Sequence, residues 1–306
     1  MNIKQAIAAV LCAVTVSGCG FLKADVFPEK EPGKTVEKTA KTPQEPQKPV
    51  RDLSAVEKAV QQGSPCSLYF ADMETGKVYT RKPQTMSSAS MIKVFILARA
   101  YEAMADGELK RDESFVLSRD NVVGGSGVLQ GLDYGTRVSL ARVLETMIVD
   151  SDNTATNIMI DRLGMDSINR YMETHGYTHS KLRRKMMDYE AIRAGRDNLT
   201  DVQDIGLLFT RLHQGKCVSP ELDQEMLAIY KKQKDREILP AGVPAGIEIA
   251  HKTGEVNDVR HDGGIVYSPK GAYVLVIFSG NYCAYSRMAD ISRQVYRAYV
   301  ESGNPG

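Results

Sequence analysis

Short apolar runs near both ends of the chain predict β-strands, with turn-forming residues between them. Segments 66–72 and 77–80 flank Met73-Glu-Thr-Gly, a pattern typical of a β-hairpin. Three more strand-like segments with short connections lie near the C-terminus, at 247–254, 264–267 and 272–279. Apolar residues at helical spacing precede the first strands at 51–63 and follow the last ones at 284–301.

Between the two groups of strands, apolar residues recur every three to four positions, which predicts a helix-rich middle. The predicted helices cover 90–105, 138–149, 154–163, 165–175 and 202–215, and another begins at Ser219-Pro220. Ser87 and Ser88 are expected to cap the first of these helices. The glycine-rich segment 120–134 is predicted to be a loop, and 177–199 has no clear period. We therefore predict an α/β protein with one sheet built from both chain ends and a helical subdomain inserted at about 86–235.

The first fifty residues differ from the rest of the chain. Residues 1–18 contain a lysine, an apolar run too short to cross a bilayer, and small residues before Cys19, the layout of a secretory signal. Val16-Ser-Gly-Cys19 also resembles the lipobox of bacterial lipoproteins, which implies that Cys19 is lipidated and residues 1–18 are removed; an ordinary signal with an incidental cysteine is the alternative. Segment 19–50 is rich in Pro, Lys, Glu and Thr, and is expected to be a disordered tether.

Composition and charge exclude several classes of function. The net charge is +1 and both signs are interspersed, so the sequence favours no nucleic-acid partner. Neither C-x-x-C nor H-E-x-x-H occurs, so we predict no metal site and no cofactor. Three cysteines follow the lipobox, Cys66, Cys217 and Cys283, and their odd number leaves at least one thiol unpaired.

The candidate nucleophile is Ser90, which precedes Lys93 by one helical turn in the S-x-x-K sequence Ser90-Met-Ile-Lys93. Side chains three residues apart share a helix face. A serine hydroxyl is a poor nucleophile until a neighbouring base takes its proton, and a desolvated lysine is one such base. This tetrapeptide is weak evidence alone, because the same spacing occurs by chance in many helices.

Two further motifs strengthen the case: Ser151-Asp-Asn153 between two predicted helices, and Lys252-Thr-Gly254 at the end of a predicted strand. S-x-x-K, S-D-N and K-T-G in this chain order form the joint signature of class A β-lactamases and penicillin-binding proteins. From about residue 51 to 301 the chain resembles the class A β-lactamase-like serine hydrolases. The resemblance implies an antiparallel five-stranded sheet flanked by helices and a single hydrolase domain over 51–306.

The resemblance also implies a role for each motif residue. Ser90 attacks the lactam or amide carbonyl, Lys93 accepts its proton, and the backbone N–H groups of Ser90 and Glu255 form the oxyanion hole. Ser151 relays a proton to the departing nitrogen.

The other implied residues hold the substrate or set the charge of the site. Lys252 keeps the proton path electropositive, and Asn153 and Thr253 bind substrate. Gly254 leaves room for the substrate along the strand edge. Substrates of this family carry a carboxylate that an arginine helps to hold; Arg260 or His261 is expected to serve here, although a solvated surface role for Arg260 is equally open.

The resemblance further places the first and last strands side by side. It therefore predicts that Cys66 and Cys283 approach each other, with a disulfide as one outcome and Cys217 as the free thiol.

The sequence departs from the family where the acyl-enzyme is hydrolysed. The family's E-x-x-L-N segment, whose glutamate activates water, is absent. Arg184 and Asp197 are expected to pair where the two ends of the loop meet, and counting from Arg184 then puts Met186 at the glutamate position. Asp188 and Glu190 are candidate substitutes for the base, and solvated loop carboxylates are the equal alternative.

Three functions consequently remain open. The first is a β-lactamase that opens lactam amides through a Ser90 acyl-enzyme. The second is a penicillin-binding, peptidoglycan-directed peptidase, and the third is a cell-wall-binding lipoprotein without turnover. The expected partners are a β-lactam or peptidoglycan-peptide substrate and a membrane, held through the lipid anchor on a monomer. The expected location is the cell envelope, on the outer membrane where a bacterium has two.

Overall fold

The structure is a computed structural model that describes residues 51–280 and 283–302. The predicted signal, the lipidated Cys19 and the tether lie outside the described residues. Within the described part of the chain, no helix is both long and apolar enough to span a membrane.

Nine strands are present among the described residues: β1 (Ser67–Asp72), β2 (Val78–Arg81), β3 (Met86–Ser87), β4 (Ser114–Val116), β5 (Arg137–Ser139), β6 (Leu199–Thr200), β7 (Glu248–Val256), β8 (Val259–Ser268) and β9 (Gly271–Ser279). Five of them form one sheet in the order β2-β1-β9-β8-β7, with every neighbouring pair antiparallel. The prediction of an antiparallel sheet built from both chain ends is confirmed. This order leaves one edge of β7 without a strand neighbour, and that edge faces the functional site.

The described helices are α1 (Ser54–Gln61), α2 (Lys93–Ala105), α3 (Leu140–Val149), α4 (Asn153–Leu163), α5 (Met165–Thr174), α6 (Tyr189–Arg193), α7 (Val202–His213), α8 (Pro220–Tyr230) and α9 (Tyr285–Glu301). The predicted helix-rich middle is confirmed, since α2 to α8 lie between β3 and β7. The period-free segment 177–199 contains only the short α6 and the start of β6.

The sheet separates two apolar clusters, because side chains along a strand point alternately to its two faces. In β9, Val274, Val276 and Phe278 belong to the cluster shared with the helical subdomain. The intervening residues Tyr273, Leu275 and Ile277 belong to the cluster covered by α1 and α9. The result is a three-layer arrangement of helices, sheet and helices.

The entry into α2 differs from the prediction. A 3₁₀ turn, Ala89–Ile92, precedes α2, and neither Ser87 nor Ser88 caps it. The Ser87 hydroxyl instead donates to Asp197 at 2.5 Å, and the Ser88 hydroxyl donates to the carbonyl of Ala89. The capping prediction is wrong because the chain enters through Ala89 at φ +44°, so the serine side chains do not face the first helical N–H groups.

Later helix starts follow the sequence signals. Asp201 caps α7 by accepting from the N–H groups of Gln203 and Asp204 at 3.0 and 2.9 Å. Ser219 caps α8 in the same way, with Pro220 as its first helical residue.

The three cysteines are buried free thiols. The sulfur atoms of Cys66 and Cys283 lie 3.8 Å apart, so the predicted approach is present. The disulfide between them stays a prediction.

Candidate active site

Ser90 lies in the 3₁₀ turn that precedes α2, directly against the open edge of β7. Its hydroxyl accepts a hydrogen bond from the Lys93 amine at 3.0 Å. Gly254 of β7 makes the approach of the two backbones possible, since a Cβ there would lie 3.1 Å from the backbone nitrogen of Ser90. Ala89 and its φ of +44° turn the chain just before the nucleophile, a strained conformation typical of functional sites.

Lys93 is fully buried and forms the centre of the site. Besides Ser90, its amine donates to the carbonyl oxygen of Ser151 at 2.6 Å and to the Ser151 hydroxyl at 3.1 Å. Oδ1 of Asn153 lies 3.0 Å from the same amine, whose hydrogens are shared among the four neighbouring oxygens. The amine therefore joins residues of the S-x-x-K and S-D-N motifs in one network.

Lys252 is a second lysine beside Ser151 and is also fully buried. Its amine donates to the Ser151 hydroxyl at 3.1 Å and to the carbonyl of Thr253. The Ser151 hydroxyl consequently lies between two lysine amines, which is the geometry of a proton relay.

The two amines are electrostatically coupled. Burial, and then the neighbouring Lys252, hold the pKa of Lys93 well below its ordinary value, and Asp152 opposes this shift. Burial lowers the pKa of Lys252 to about 8, and the carboxylates of Asp235 and Asp262 limit the fall. The lowered pKa of Lys93 suits a residue that accepts a proton, and Lys252 supplies positive charge beside it.

The S-D-N motif is held by its middle residue. Asp152 Oδ1 accepts from the N–H of Ala155 at 2.8 Å and so caps α4. Its Oδ2 accepts from the N–H groups of Val128 and Leu129 at 2.7 and 2.8 Å, which fixes the glycine-rich loop to the same helix. Ser151 takes a φ of +51° just before this cap, and this turn directs its hydroxyl towards both lysines.

The pocket around Ser90 has one wall from the glycine-rich loop and another from the loop at 184–197. Its lining residues are Ala89, Ser90, Gly125, Ser126, Asn153, Arg184, Met186, Met187, Tyr189, Ile192, Glu255 and Val256. Among these lining residues, Glu255 is the sole carboxylate. The wall formed by 186–192 is predominantly apolar.

The loop at 184–197 is closed at its neck as predicted. Nε and Nη2 of Arg184 donate to Oδ1 of Asp197 at 2.9 and 2.7 Å. Asn198 adds a second closure, because its Oδ1 accepts from the N–H groups of Arg183 and Arg184.

Met186 is placed by Asn157, a residue that the motif analysis did not identify. Asn157 Oδ1 accepts from the Met186 N–H at 2.7 Å, and its Nδ2 donates to the Met186 carbonyl at 3.1 Å. Asn157 follows Asn153 by four residues on α4, so both face the site, and this spacing is the signal that could have found it.

The structure does not bring Asp188 or Glu190 into the pocket. Asp188 caps α6, because its Oδ1 accepts a hydrogen bond from the N–H of Ala191 at 2.9 Å. Glu190 is exposed in the first turn of α6.

The two candidates for holding a substrate carboxylate, Arg260 and His261, differ in their surroundings. His261 is buried, its Nε2 lies 2.9 Å from the carbonyl oxygen of Ser87, and its ring stacks on Phe278. Burial lowers the pKa of His261 to about 4, so its ring is neutral. Arg260 pairs at 3.2 Å with Glu255, a residue that lines the pocket.

One histidine and two aspartates, side chains of the types that can bind a metal ion, lie close together at the start of α7. Nδ1 of His179 is 3.4 Å from both Asp201 and Asp204. Both carboxylates already have structural roles, since Asp201 caps α7 and Asp204 accepts from Ser180 at 2.8 Å. We assign this cluster to the packing of α7.

Comparison with known proteins gives a consistent result. The family described as the β-lactamase enzyme family matches residues 48–299. A β-lactamase of Streptomyces lavendulae is 24% identical over 237 residues, which cover 74% of this chain and 77% of that relative. The crystal structure of a β-lactamase from Sphaerobacter thermophilus is 28% identical at a TM-score of 0.74, and the match covers 81% of this chain and 98% of that one.

Another similar structure is a leucine-to-glutamate mutant of PBP-A, an acyl-enzyme complex with penicillin G. It is 29% identical at a TM-score of 0.74, and the match covers 83% of this chain and 99% of that one. The family match spans the sheet, the helical subdomain and all three motifs. The chain belongs to the β-lactamase enzyme family and is a β-lactamase-like serine hydrolase.

Proposed function

We propose that this enzyme opens β-lactam amide bonds through an acyl-enzyme on Ser90 and releases the product slowly. The observation that carries the first half is the contact of Lys93 with both Ser90 and Ser151. The second half rests on Met186, which occupies the pocket wall where a base for hydrolysis is needed.

In the acylation step the Lys93 amine takes the proton of the Ser90 hydroxyl as Oγ bonds to the carbonyl carbon. The backbone N–H groups of Ser90 and Glu255 stabilise the oxyanion. When the C–N bond breaks, the departing nitrogen takes a proton from the Ser151 hydroxyl, and this hydroxyl is reprotonated by a neighbouring lysine amine. The products of the step are an ester on Ser90 and an opened ring.

Hydrolysis of this ester needs a second base that activates water. Asn157 fixes the backbone of residue 186 beside the pocket, but the side chain there is a methionine. A thioether accepts protons too weakly to serve, so the ester is expected to persist. For the formation of the ester, the support is PBP-A, a neighbour whose leucine-to-glutamate mutant was obtained as an acyl-enzyme complex with penicillin G.

A peptidoglycan-directed peptidase is the second candidate. It is favoured by the apolar side of the pocket, where Met187, Tyr189 and Ile192 offer surface to a peptide. Both candidates share the Ser90 ester, and they differ in the acyl donor.

Intact-protein mass spectrometry after addition of benzylpenicillin is expected to show a mass increase of one penicillin that persists through repeated sampling. Ser90→Ala should abolish this adduct because it removes the hydroxyl that forms the ester. Ser126→Ala, another serine of the pocket wall, is the matched control and should label normally.

The outcome also separates the candidates. Rapid loss of the adduct with stoichiometric excess of hydrolysed drug would contradict slow release. Labelling of Ser90→Ala would contradict the nucleophile. The same assay with a cell-wall pentapeptide tests the peptidase, for which loss of the terminal residue is expected.

Met186→Glu is expected to accelerate loss of the adduct by about 100-fold or more, the scale of general-base catalysis. The new carboxylate would stand at a position whose backbone is already fixed by Asn157. The measurement is the decay rate of the benzylpenicillin adduct, and Met186→Gln, similar in size but without a basic carboxylate, is the control. Equal decay in the two variants would argue against the missing base as the cause of slow release.

The acylation rate is expected to fall about tenfold per pH unit above pH 8. The pKa of Lys252 is lowered to about 8, so this amine is charged below that pH and loses its charge above it. The rate falls because proton transfer through Ser151 requires the charged form of Lys252. Lys93 acts in its neutral form, whose fraction rises with pH, so Lys93 does not cause this fall. Lys252→Arg keeps its charge, so its alkaline limb should lie at higher pH when measured by stopped-flow acylation. If the acylation rate of this variant falls at the same pH as that of the wild-type protein, a group other than Lys252 causes the fall.

We further propose that the enzyme is exported and lipid-anchored through Cys19. The motif Val16-Ser-Gly-Cys19 supports this proposal. In cells fed labelled palmitate, the full chain is expected to carry label in the membrane fraction. Cys19→Ser should lose both label and membrane association, whereas Cys12→Ser should retain them. Label retained by Cys19→Ser would exclude this anchor.

A further inference from the structure

A cluster of three polar side chains, Glu255, Arg260 and Tyr285, lies where β7, β8 and α9 meet at the rim of the pocket. Nε of Arg260 donates to Oε1 of Glu255 at 3.2 Å, and the Tyr285 hydroxyl donates to Oε2. The Arg260 guanidinium also stacks on the Tyr285 ring, with 4.5 Å from Cζ to the ring centroid. Both carboxylate oxygens of Glu255 therefore have donors within the protein.

The sheet register makes this contact direct. Glu255 lies opposite Arg260 across the β7–β8 ladder, and directly opposed side chains share a face. Thr253, two residues before Glu255, lies on that same face. Glu255 also lines the Ser90 pocket. A carboxylate of the protein itself thus lines the pocket and already pairs with Arg260.

We propose that Glu255 is a specificity-determining residue that neutralises Arg260, so that the site disfavours a carboxylate beside the scissile amide. It favours substrates whose group at that position is uncharged or carries an ammonium. This inference rests on the proposed acyl-enzyme function and names the substrate class of the same site.

The physical reason is competition for one cation. An incoming carboxylate must either displace Glu255 from Arg260 or bind beside it, and two adjacent carboxylates repel each other. The Arg260 side chain is only 11% exposed, whereas that of Glu255 is 52% exposed. The arginine is therefore held in place, and water screens part of the repulsion. We expect a discrimination of about tenfold, which corresponds to about 1.4 kcal/mol.

A purely structural role is the competing explanation, because Glu255 also connects β7 to Tyr285 of α9. A structural residue would affect all substrates equally. Dependence on the charge of the substrate is the property that separates the two roles.

The test measures second-order acylation rate constants with three probes: benzylpenicillin, its methyl ester and its aminoethyl amide. These carry a negative, a neutral and a positive group at the same position. In the wild-type protein, the rate is expected to rise from the acid to the ester to the amide. Glu255→Gln keeps the shape and hydrogen-bonding oxygen but removes the charge. It should raise the ratio of the acid rate to the ester rate about tenfold and lower the ratio of the amide rate to the ester rate.

Two controls test whether the dependence of the acylation rate on substrate charge comes from the Glu255–Arg260 pair. Glu248→Gln removes a carboxylate from the same strand, where Glu248 pairs with Lys231, and should leave the three rates unchanged. Arg260→Ala in the Glu255→Gln background should remove the gain for the acid. A second variant, Glu255→Ala, tests the same charge dependence if the glutamine protein does not fold, as judged by thermal melting.

The outcomes distinguish this inference from the function on which it rests. No Ser90 adduct with any probe in any protein would overturn the acyl-enzyme itself. Adducts with a ratio of acid to ester rates that is the same in wild type and Glu255→Gln would overturn the role of Glu255 alone.

Discussion

The rest of the structure depends on the burial of two lysine amines on either side of one hydroxyl. Lys93 and Lys252 are both fully buried, and Ser151 accepts a hydrogen bond from each. A polar amine in a protein interior is costly unless hydrogen bonds replace its water, so each amine requires partners at fixed positions. These partners come from separate elements of the fold. Helix α2, the turn before α4 and strand β7 must therefore meet within hydrogen-bonding distance.

This constraint accounts for the unusual backbone around the site. Ala89 and Ser151, which are not glycines, take positive φ values of +44° and +51°. Such conformations cost about 1–3 kcal/mol each and persist only where the surroundings enforce them. Gly254 allows the third close approach, since a side chain there would press on the Ser90 backbone. Two of the five non-glycine residues with positive φ in the described part of the chain therefore lie where the three elements converge on the amines.

The sequence predicts the features that depend on local pattern. Apolar periodicity indicates the sheet and helices, and the three motifs indicate Ser90, Ser151 and Lys252. Prediction from the sequence fails where the position of a side chain depends on contacts with residues that are distant in the chain. The serines before α2 have the composition of a cap, yet Asp197, more than a hundred residues later, takes the Ser87 hydroxyl. The pairing of Glu255 with Arg260 depends on the register of the β7–β8 hairpin, which neither residue alone reveals.

The two halves of the reaction depend on different parts of the fold, and this explains how one can be present without the other. The acylation groups lie on α2, the turn before α4 and β7, and changing any of them disturbs the burial of the amines. The loop at 184–197 is held by the Arg184–Asp197 pair and by backbone hydrogen bonds to Asn157. None of these contacts uses the side chain at position 186. The side chain at position 186 can therefore differ without breaking these contacts, so the rate of ester release can change while the machinery that forms the ester is retained.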